Sequence, residues 1–338
     1  MDKKIRWGLL GAGAILDRWM FGAMQHDDME VVAISSRTEE SAKKMAQKYN
    51  IPEYQTYDEL LARDDIDVVY VPVPHTAHKD LVIKALNSGK NVLVEKPAGI
   101  NASEWAEMTA CAEKNNLFLM EAAWTKFFPI INEIKAYIGD DGIGEVRMVE
   151  SAFSFRNSDT SSRLLDPNRA GGGLLDVGVY NLHFQRMIYE KDPTVLTGVA
   201  SIATDELKLN IDEQASYIAQ YDNGALGVMS SGVRTDMIDT AYIYGTKGYI
   251  VVPQFWKPAQ MTVVMGDVTC EVKKPVSQKV NGVIDEGYQY EIAHVNKCLR
   301  EGLKQSPILP WTETEKVLKA CDKLRKQWGL IYPMEEGL

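Results

Sequence analysis

Three groups of residues in this chain carry side chains suited to chemistry. The first is Glu95-Lys96-Pro97, which closes the apolar run Val92 to Glu95. A continuous apolar run suits a strand buried on both faces, and Pro97 cannot continue a central strand. An ammonium at the carboxyl end of such a strand stands where open α/β sheets put their ligands, although a plain exit into solvent fits the position equally well. The second group is Asp176, Tyr180 and His183, spaced i, i+4 and i+7, so a helix would set all three on one face. Their neighbours are strongly apolar, so these polar groups would be partly buried and in need of partners; an ordinary polar helix face is the alternative. The third group is Gly11-Ala12-Gly13-Ala14-Ile15-Leu16 with Ser36-Arg37 about 20 residues further on. Two glycines so placed allow a tight turn and let backbone N–H groups approach a pyrophosphate at a helix N-terminus, while a simple glycine turn remains the bland reading.

The elements that must hold these groups follow from the chain's rhythm. Ile5 to Leu10, Glu30 to Ser35, Asp67 to Val73, Val92 to Glu95 and Leu117 to Glu121 read as strands alternating with helices. Ser36-Arg37-Thr38-Glu39 resembles a capping box opening a helix to Tyr49, and Asn101 with Glu104 reads as the cap pair of a helix to Asn115. This alternation predicts a doubly wound parallel α/β sheet of Rossmann type over residues 1–123. Leu16 stands where the glycine motif normally needs a small residue, so the first helix is expected to start differently. An acidic residue at the end of the second strand would hold the ribose of NAD; here Ser36 and Arg37 stand instead, and a hydroxyl and a guanidinium suit a 2′-phosphate. The expected cofactor is therefore NADP. His75 and His78, just past the third strand, either face it or cap the following helix.

Beyond Trp124 the pattern changes. Glu145 to Arg156 alternates, and Val195–Thr204, Ala215–Tyr221, Ala225–Gly232, Thr240–Val252, Met261–Met265 and Thr269–Lys273 read as strands joined by turns such as Asp222-Asn223-Gly224 and Gly245-Thr246-Lys247-Gly248. Residues 124–338 are thus expected to form an α+β domain with an open, largely antiparallel sheet, ending in helices near Tyr288–Gly302 and Glu313–Trp328. An open sheet needs its exposed face covered, and a partner subunit could do so. The Gly171-Gly172-Gly173 run permits close approach to a ligand.

Bulk properties narrow the classes. At 338 residues the chain can hold two cores, and 45% hydrophobic with 25% charged residues is ordinary for a globular protein. A net charge of −10 argues against nucleic acid or an anionic membrane as main partner. Cys111, Cys270, Cys298 and Cys321 are scattered without metal-like spacing and read as reduced thiols in a cytoplasmic protein. The basic, apolar N-terminus imitates a signal peptide, but Asp17 and Arg18 follow at once. Glu291 and His294 form an E-x-x-H pair, and two ligands on one helix fall short of a metal site.

The chain resembles the Gfo/Idh/MocA oxidoreductases, and within them the dimeric dihydrodiol dehydrogenases, also described as NADP-dependent D-xylose dehydrogenases. The stretches carrying the resemblance are VLVEKPAGINASE, FLMEAAWTKFFP, GGGLLDVGVYNLHF, YGTKG, YEIAHVNKCLREG and SPILPW, which together span almost the whole chain. The resemblance implies a homodimeric, NADP-dependent dehydrogenase acting on a sugar, polyol or trans-dihydrodiol. It implies Lys96 and Tyr180 as the catalytic pair, Asp176 as their helix carboxylate, Trp124 and Phe153 as substrate-pocket aromatics, and Arg147 as a nearby basic position. The cofactor would be held by Gly11, Gly13, Ala14, Ile15, Leu16, Ser36, Arg37, His75, His78, Glu95 and Lys96. Two departures stand out: the glycine loop has a fuller G-x-G than those enzymes usually show, and Ile202 to Glu213 lacks their arginine-bearing stretch, which leaves the substrate open. The alternative from another class is a sensor that binds NADP without turnover; it would have no need of an acid–base pair.

Overall fold

Buried, β-branched runs dictate the first sheet. The computed structural model describes residues 3–159, 161–202, 209–274, 279–280, 283–284 and 287–336. Six strands, β1 (Ile5–Leu10), β2 (Met29–Ser35), β3 (Glu53–Gln55), β4 (Val68–Val71), β5 (Asn91–Glu95) and β6 (Leu119–Ala122), lie in the order β3-β2-β1-β4-β5-β6. All neighbouring pairs are parallel. Every residue of β4 is buried, as a strand covered on both faces requires. Between them run α1 (Ile15–Ala23), α2 (Glu39–Tyr49), α3 (Tyr57–Leu61), α4 (His78–Asn87) and α5 (Ala102–Asn115). Asn101 caps α5 by accepting from the Glu104 N–H at 2.9 Å, and left-handed Asn50 and Asn116 end α2 and α5. The expected cap pair at Asn101 is formed. The box expected at Ser36–Glu39 is not: Thr38 is the N-cap and its hydroxyl bonds Ser41 at 2.7 Å, while the true box joins Thr56 and Glu59.

The strand order reverses between β1 and β4, so the segments leaving these two strands share the carboxyl edge where such sheets bind ligands.

The second sheet has eight strands. They are β7 (Val146–Ser154), β8 (Val195–Ile202), β9 (Asp212–Gln220), β10 (Leu226–Gly232), β11 (Thr240–Gly245), β12 (Tyr249–Pro253), β13 (Gln260–Met265) and β14 (Val268–Lys273), in the order β14-β13-β12-β11-β7-β10-β9-β8. Only β7 and β10 pair in parallel; the remaining pairs are antiparallel. The turn at Gly245–Gly248 divides the run Thr240–Val252 into β11 and β12. α6 (Pro129–Ala136) precedes the sheet, and α7 (Val179–Tyr189) packs on one face of it. The other face alternates outward along β9, where Ala215, Tyr217 and Ala219 are buried and Ser216, Ile218 and Gln220 are exposed.

Two compact units result, and the chain passes between them more than once. One comprises Met1–Trp124 with Val276–Glu315, the other Thr125–Pro275 with Lys316–Leu338. A second domain running unbroken from residue 124 to 338 is not what the contacts give, because α8 (Tyr288–Arg300) packs with the first unit. The cause is local. At Gly22 of α1 a Cβ would stand 2.7 Å from the Gln289 nitrogen, so only glycine lets the two helices approach this closely. The Trp7 indole donates to Asn296 at 3.0 Å, and Arg300 pairs with Asp28 at 2.7 Å. The segment also covers the open edge of β6, since Leu119 N–H donates to the Lys304 carbonyl and the Trp311 indole to the Leu119 carbonyl. The last helix, α9 (Trp311–Trp328), begins in the first unit and ends in the second.

Candidate active site

In the first unit the nucleotide edge is built from glycine and a carbonyl. Gly11 has φ +149° and donates its N–H to the Ser35 carbonyl at 2.9 Å. A Cβ there would sit 3.0 Å from Val73, and one on Gly13 would sit 3.0 Å from the Pro72 carbonyl. The loop after β1 is thereby drawn against the segment after β4. No side chain caps the start of α1 at Ala14 and Ile15. Leu16, in place of the third glycine, is fully buried in the core. Ser36 is half-buried and Arg37 exposed at the end of β2, outside the helix cap. The Arg37 charge reaches Tyr57, whose phenol burial pushes up and Arg37 pulls back.

Past β4 and β5 the polar groups turn inward. His78 is fully buried, with Nδ1 2.9 Å from the Pro97 carbonyl and Nε2 2.9 Å from the Val73 carbonyl. Burial lowers its pKa to about 4, against the pull of those carbonyls. The neutral ring has one N–H, so one contact is a donated bond and the other a close approach. His78 therefore ties β4 to the turn after Lys96; it neither caps α4 nor offers a ring nitrogen to a cofactor. His75 is also buried. Glu95 accepts from the Tyr70 hydroxyl at 2.5 Å and from the Lys96 N–H at 3.1 Å. Burial raises its pKa, with the Tyr70 bond and the Lys96 charge opposing. Tyr70 in turn stacks on Trp19 at 4.6 Å. Glu121 receives the Ala98 N–H at 3.1 Å and the Thr314 hydroxyl at 2.9 Å. Half-buried Lys96 thus projects from backbone fastened on both sides.

Trp124, expected in a substrate pocket, is 2% exposed and stacks on Tyr288 at 4.2 Å within this unit. Glu291 is fully buried and its carboxyl is held well above the ordinary range by burial and by Glu95. His294 bonds Ser306 at 2.7 Å, so the E-x-x-H pair serves the interior. Among the described residues no group of three or more His, Cys, Asp or Glu could hold a metal ion.

The second unit has an aromatic wall of its own. Tyr180 lies on α7 with its ring 5.4 Å from Phe153 and 6.3 Å from Trp256. Phe153 and Trp256 are stacked at 4.8 Å with planes 7° apart, and the Lys257 ammonium stands 4.7 Å over the indole. Trp256 follows β12 and is fixed through its carbonyl, which accepts from Thr125 at 2.5 Å. Asp176, 7% exposed, accepts from Arg163 Nη2 at 3.1 Å. It lies in a π-helical turn, Leu174–Gly178, so the plain α-helical face expected for Asp176, Tyr180 and His183 begins only at Val179. All three are buried.

Arg147 is the clear correction here. It pairs with Glu145 at 3.2 Å, donates to the Asn223 carbonyl, and is exposed. Six residues of extended β7 put it about 20 Å from Phe153. The three glycines are a second correction, since the close approaches are internal. A Cβ would meet the Leu164 carbonyl at 2.6 Å from Gly171, Asp212 Oδ1 at 2.1 Å from Gly172, and Gly232 Cα at 2.9 Å from Gly173. Of the segment Ile202 to Glu213, residues 203–208 lie outside the described residues. Trp256, Arg163 and Lys257 were not anticipated. The sole hint at Trp256 was a tryptophan in a short loop between Pro253 and Pro258.

Comparison with known proteins fits this layout. Residues 5–123 match the model of the Gfo/Idh/MocA oxidoreductase family, NAD-binding Rossmann fold, and residues 131–251 match a Gfo/Idh/MocA C-terminal domain. Trans-1,2-dihydrobenzene-1,2-diol dehydrogenase of Mus musculus is 35% identical over 98% of this chain and 99% of that protein. The Homo sapiens enzyme of the same name is 32% identical over 98% and 99%. Among solved structures, the aldose-aldose oxidoreductase of Caulobacter crescentus, complexed with glycerol, superposes with a TM-score of 0.85 at 22% identity, covering 96% of this chain and 97% of that one. A 3-ketoreductase from Actinomadura kijaniata, in complex with NADP and TDP-benzene, gives 0.83 at 21% identity, covering 96% and 98%. At these identities the structures speak for the fold.

Proposed function

Because the chain belongs to the Gfo/Idh/MocA oxidoreductase family, we propose that it is an NADP-dependent dehydrogenase oxidising a secondary alcohol of a sugar, polyol or trans-dihydrodiol. The observation that carries this reading is a phenol, Tyr180, set against the parallel rings of Phe153 and Trp256. Flat apolar rings suit one face of a cyclic substrate, while a hydroxyl at their edge suits its polar atoms.

The first unit fits a dinucleotide. The close approaches at Gly11 and Gly13 hold the loop after β1 against the segment after β4 at the sheet's carboxyl edge, and Arg37 follows β2 where a 2′-phosphate is read. Bound there, NADP supplies the hydride acceptor. Tyr180 takes the hydroxyl proton. A tyrosine with an ordinary pKa of about 10 is a poor base at neutral pH, and this reading assigns Lys96 the part of the cation that would favour its ionised form. Asp176, paired with Arg163, orients the tyrosine's helix turn. In the reverse direction Tyr180 returns the proton to the forming alkoxide.

The test is reduced-nicotinamide absorbance at mildly alkaline pH with D-xylose, D-glucose and a trans-dihydrodiol, offered with NADP and with NAD. Tyr180→Phe and Lys96→Ala should each lower kcat by about 10²–10⁴-fold while NADPH fluorescence still reports binding. Near-wild-type turnover in Tyr180→Phe would falsify the assignment. Tight NADPH binding without turnover on a broad polyol panel would favour a sensor instead.

The same reading includes a homodimer through the open sheet. Strand register aligns Ile218, Val228, Glu150, Tyr242 and Val251 across β9, β10, β7, β11 and β12 on the outward face, and Val199, opposite Ser216 on β8, is 74% exposed. This row, apolar on either side of Glu150, suits an identical row from a second copy, and sedimentation velocity reads it directly. Four cysteines, none in a disulfide, suit a reducing, cytoplasmic compartment.

A further inference from the structure

The helical run from Leu174 to Tyr189 carries Asp176 and Tyr180, and its own sequence gives it no N-terminal side-chain cap. Gly173 has no side chain, and none caps the turn at Gly178. The amides of a first turn need an acceptor, and a buried start without one would be costly. Asp212, at the first position of β9, supplies it from across the unit. Its side chain is fully buried, and Oδ2 accepts from the Leu174 N–H at 2.6 Å. Its Oδ1 lies where a Cβ on Gly172 would fall, which explains a glycine there with φ +120°.

The groups around Asp212 leave it to this task. Arg325 on α9 is engaged by Glu335 at 2.6 Å and by Asp322 at 2.9 Å. Tyr332 donates to the Gly171 carbonyl at 3.0 Å, holding the same loop from the C-terminal side. Among the described residues, Tyr217 on β9 and Tyr332 feel the Asp212 charge, Cys321 on α9 lies against those two tyrosines, and Arg325 is the nearby positive charge. The carboxylate is therefore held through Oδ2 by the Leu174 N–H, while its buried Oδ1 has no hydrogen-bond partner among the described residues.

We propose that Asp212 is a positioning residue for the reaction: its carboxylate fixes the π-helical turn that presents Asp176 and, one turn on, Tyr180. The proposal rests on the dehydrogenase reading for its kinetic consequence, and on the geometry alone for its structural one. Burial pushes the Asp212 carboxyl up to about 7, with the Leu174 bond and its own amide pulling it back. The Leu174 bond itself favours the ionised carboxyl, so in a local opening that releases this bond while Asp212 stays buried the hold on the turn weakens as pH falls through neutrality.

Hydrogen exchange followed by mass spectrometry tests this in the full chain. In the wild type, protection of peptides covering Leu174–Tyr180, corrected for the intrinsic pH dependence of exchange, should fall by about tenfold between pH 8 and pH 6. Peptides from β11 to β13 should not change. Asp212→Asn should show the low-pH exchange at every pH, and its kcat should fall without a matching change in KM and lose the pH dependence seen in the wild type near neutrality. Uniform protection across pH in the wild type overturns the proposal without any variant. Loosened exchange with an unaltered kcat and pH profile also overturns it, reducing Asp212 to a structural cap. An inactive wild type with the expected exchange pattern would sink the dehydrogenase reading and leave the anchor standing.

Discussion

Acidification should weaken this protein through His78. The unfolded ring ionises with an ordinary pKa of 6.5, whereas burial holds the folded ring at about 4. Below pH 6.5 the unfolded chain takes up a proton that the folded chain refuses, so the stabilisation is present above 6.5 and is lost as pH falls toward 4. With these two values the linkage relation gives a loss of about 2 kcal/mol between pH 7.5 and pH 5. In global unfolding, which exposes its carboxyl to water, Asp212 works in the opposite sense, since its folded pKa of about 7 lies above the ordinary 3.8 and its contribution declines as pH rises between the two. The total slope therefore isolates neither group, and a variant is needed. His78→Gln can still donate to one of the two carbonyls and should cost about 1–3 kcal/mol at pH 7.5. Its deficit relative to the wild type should shrink by about 2 kcal/mol at pH 5, read from urea midpoints by circular dichroism. There are only five histidines, so the imidazole resonance missing from the variant identifies His78 in a proton titration. A ring that titrates near 6.5, or a deficit constant with pH, would refute the reasoning.

Two further variants probe the cofactor and the assembly. Arg37→Ala removes a charge-assisted contact to the 2′-phosphate, so the Kd for NADPH should rise by about 10–100-fold with NADH unaffected. Equal effects on the two nucleotides, measured by fluorescence titration, would show that Arg37 does not read the phosphate. In the proposed homodimer Ile218→Lys would set two like charges against each other across the twofold interface, and sedimentation velocity should then show monomer where the wild type is dimeric. A dimer that survives must use another face.

Periodicity made much of the fold legible. Alternating strands and helices gave the parallel sheet, and Asn101 with Glu104 marked the start of α5 because a cap is a local hydrogen bond between near neighbours. What failed was non-local. The return of α8 to the first unit depends on Gly22 meeting Gln289, two positions that no window of sequence joins. Arg163 reaches Asp176 from a loop thirteen residues away. Arg147 followed a family position and met a solvent-facing strand start instead. The glycine run at Gly171 to Gly173 signalled close approach correctly but not its object, since a missing Cβ serves a ligand, a carbonyl or a buried carboxylate alike.

Both halves of the proposed chemistry share one construction. Lys96 lies on backbone held by His78 at Pro97 and by Glu121 at Ala98. The helix bearing Tyr180 is held by Asp212 at Leu174 and by Asn181 at the Ser230 carbonyl. In each case the fastening group is polar and buried, and its bond joins distant parts of the chain. Apolar replacements would pack without desolvation cost, yet they cannot direct a backbone N–H or carbonyl, and a small misplacement of a reacting group is expensive in rate. The displaced pKa values of His78 and Asp212 follow from that choice, because a group that holds the backbone from a buried site has been moved out of water to do so. Sensitivity to pH is therefore expected in the framework that holds the proposed reactive side chains, one step removed from the side chains themselves.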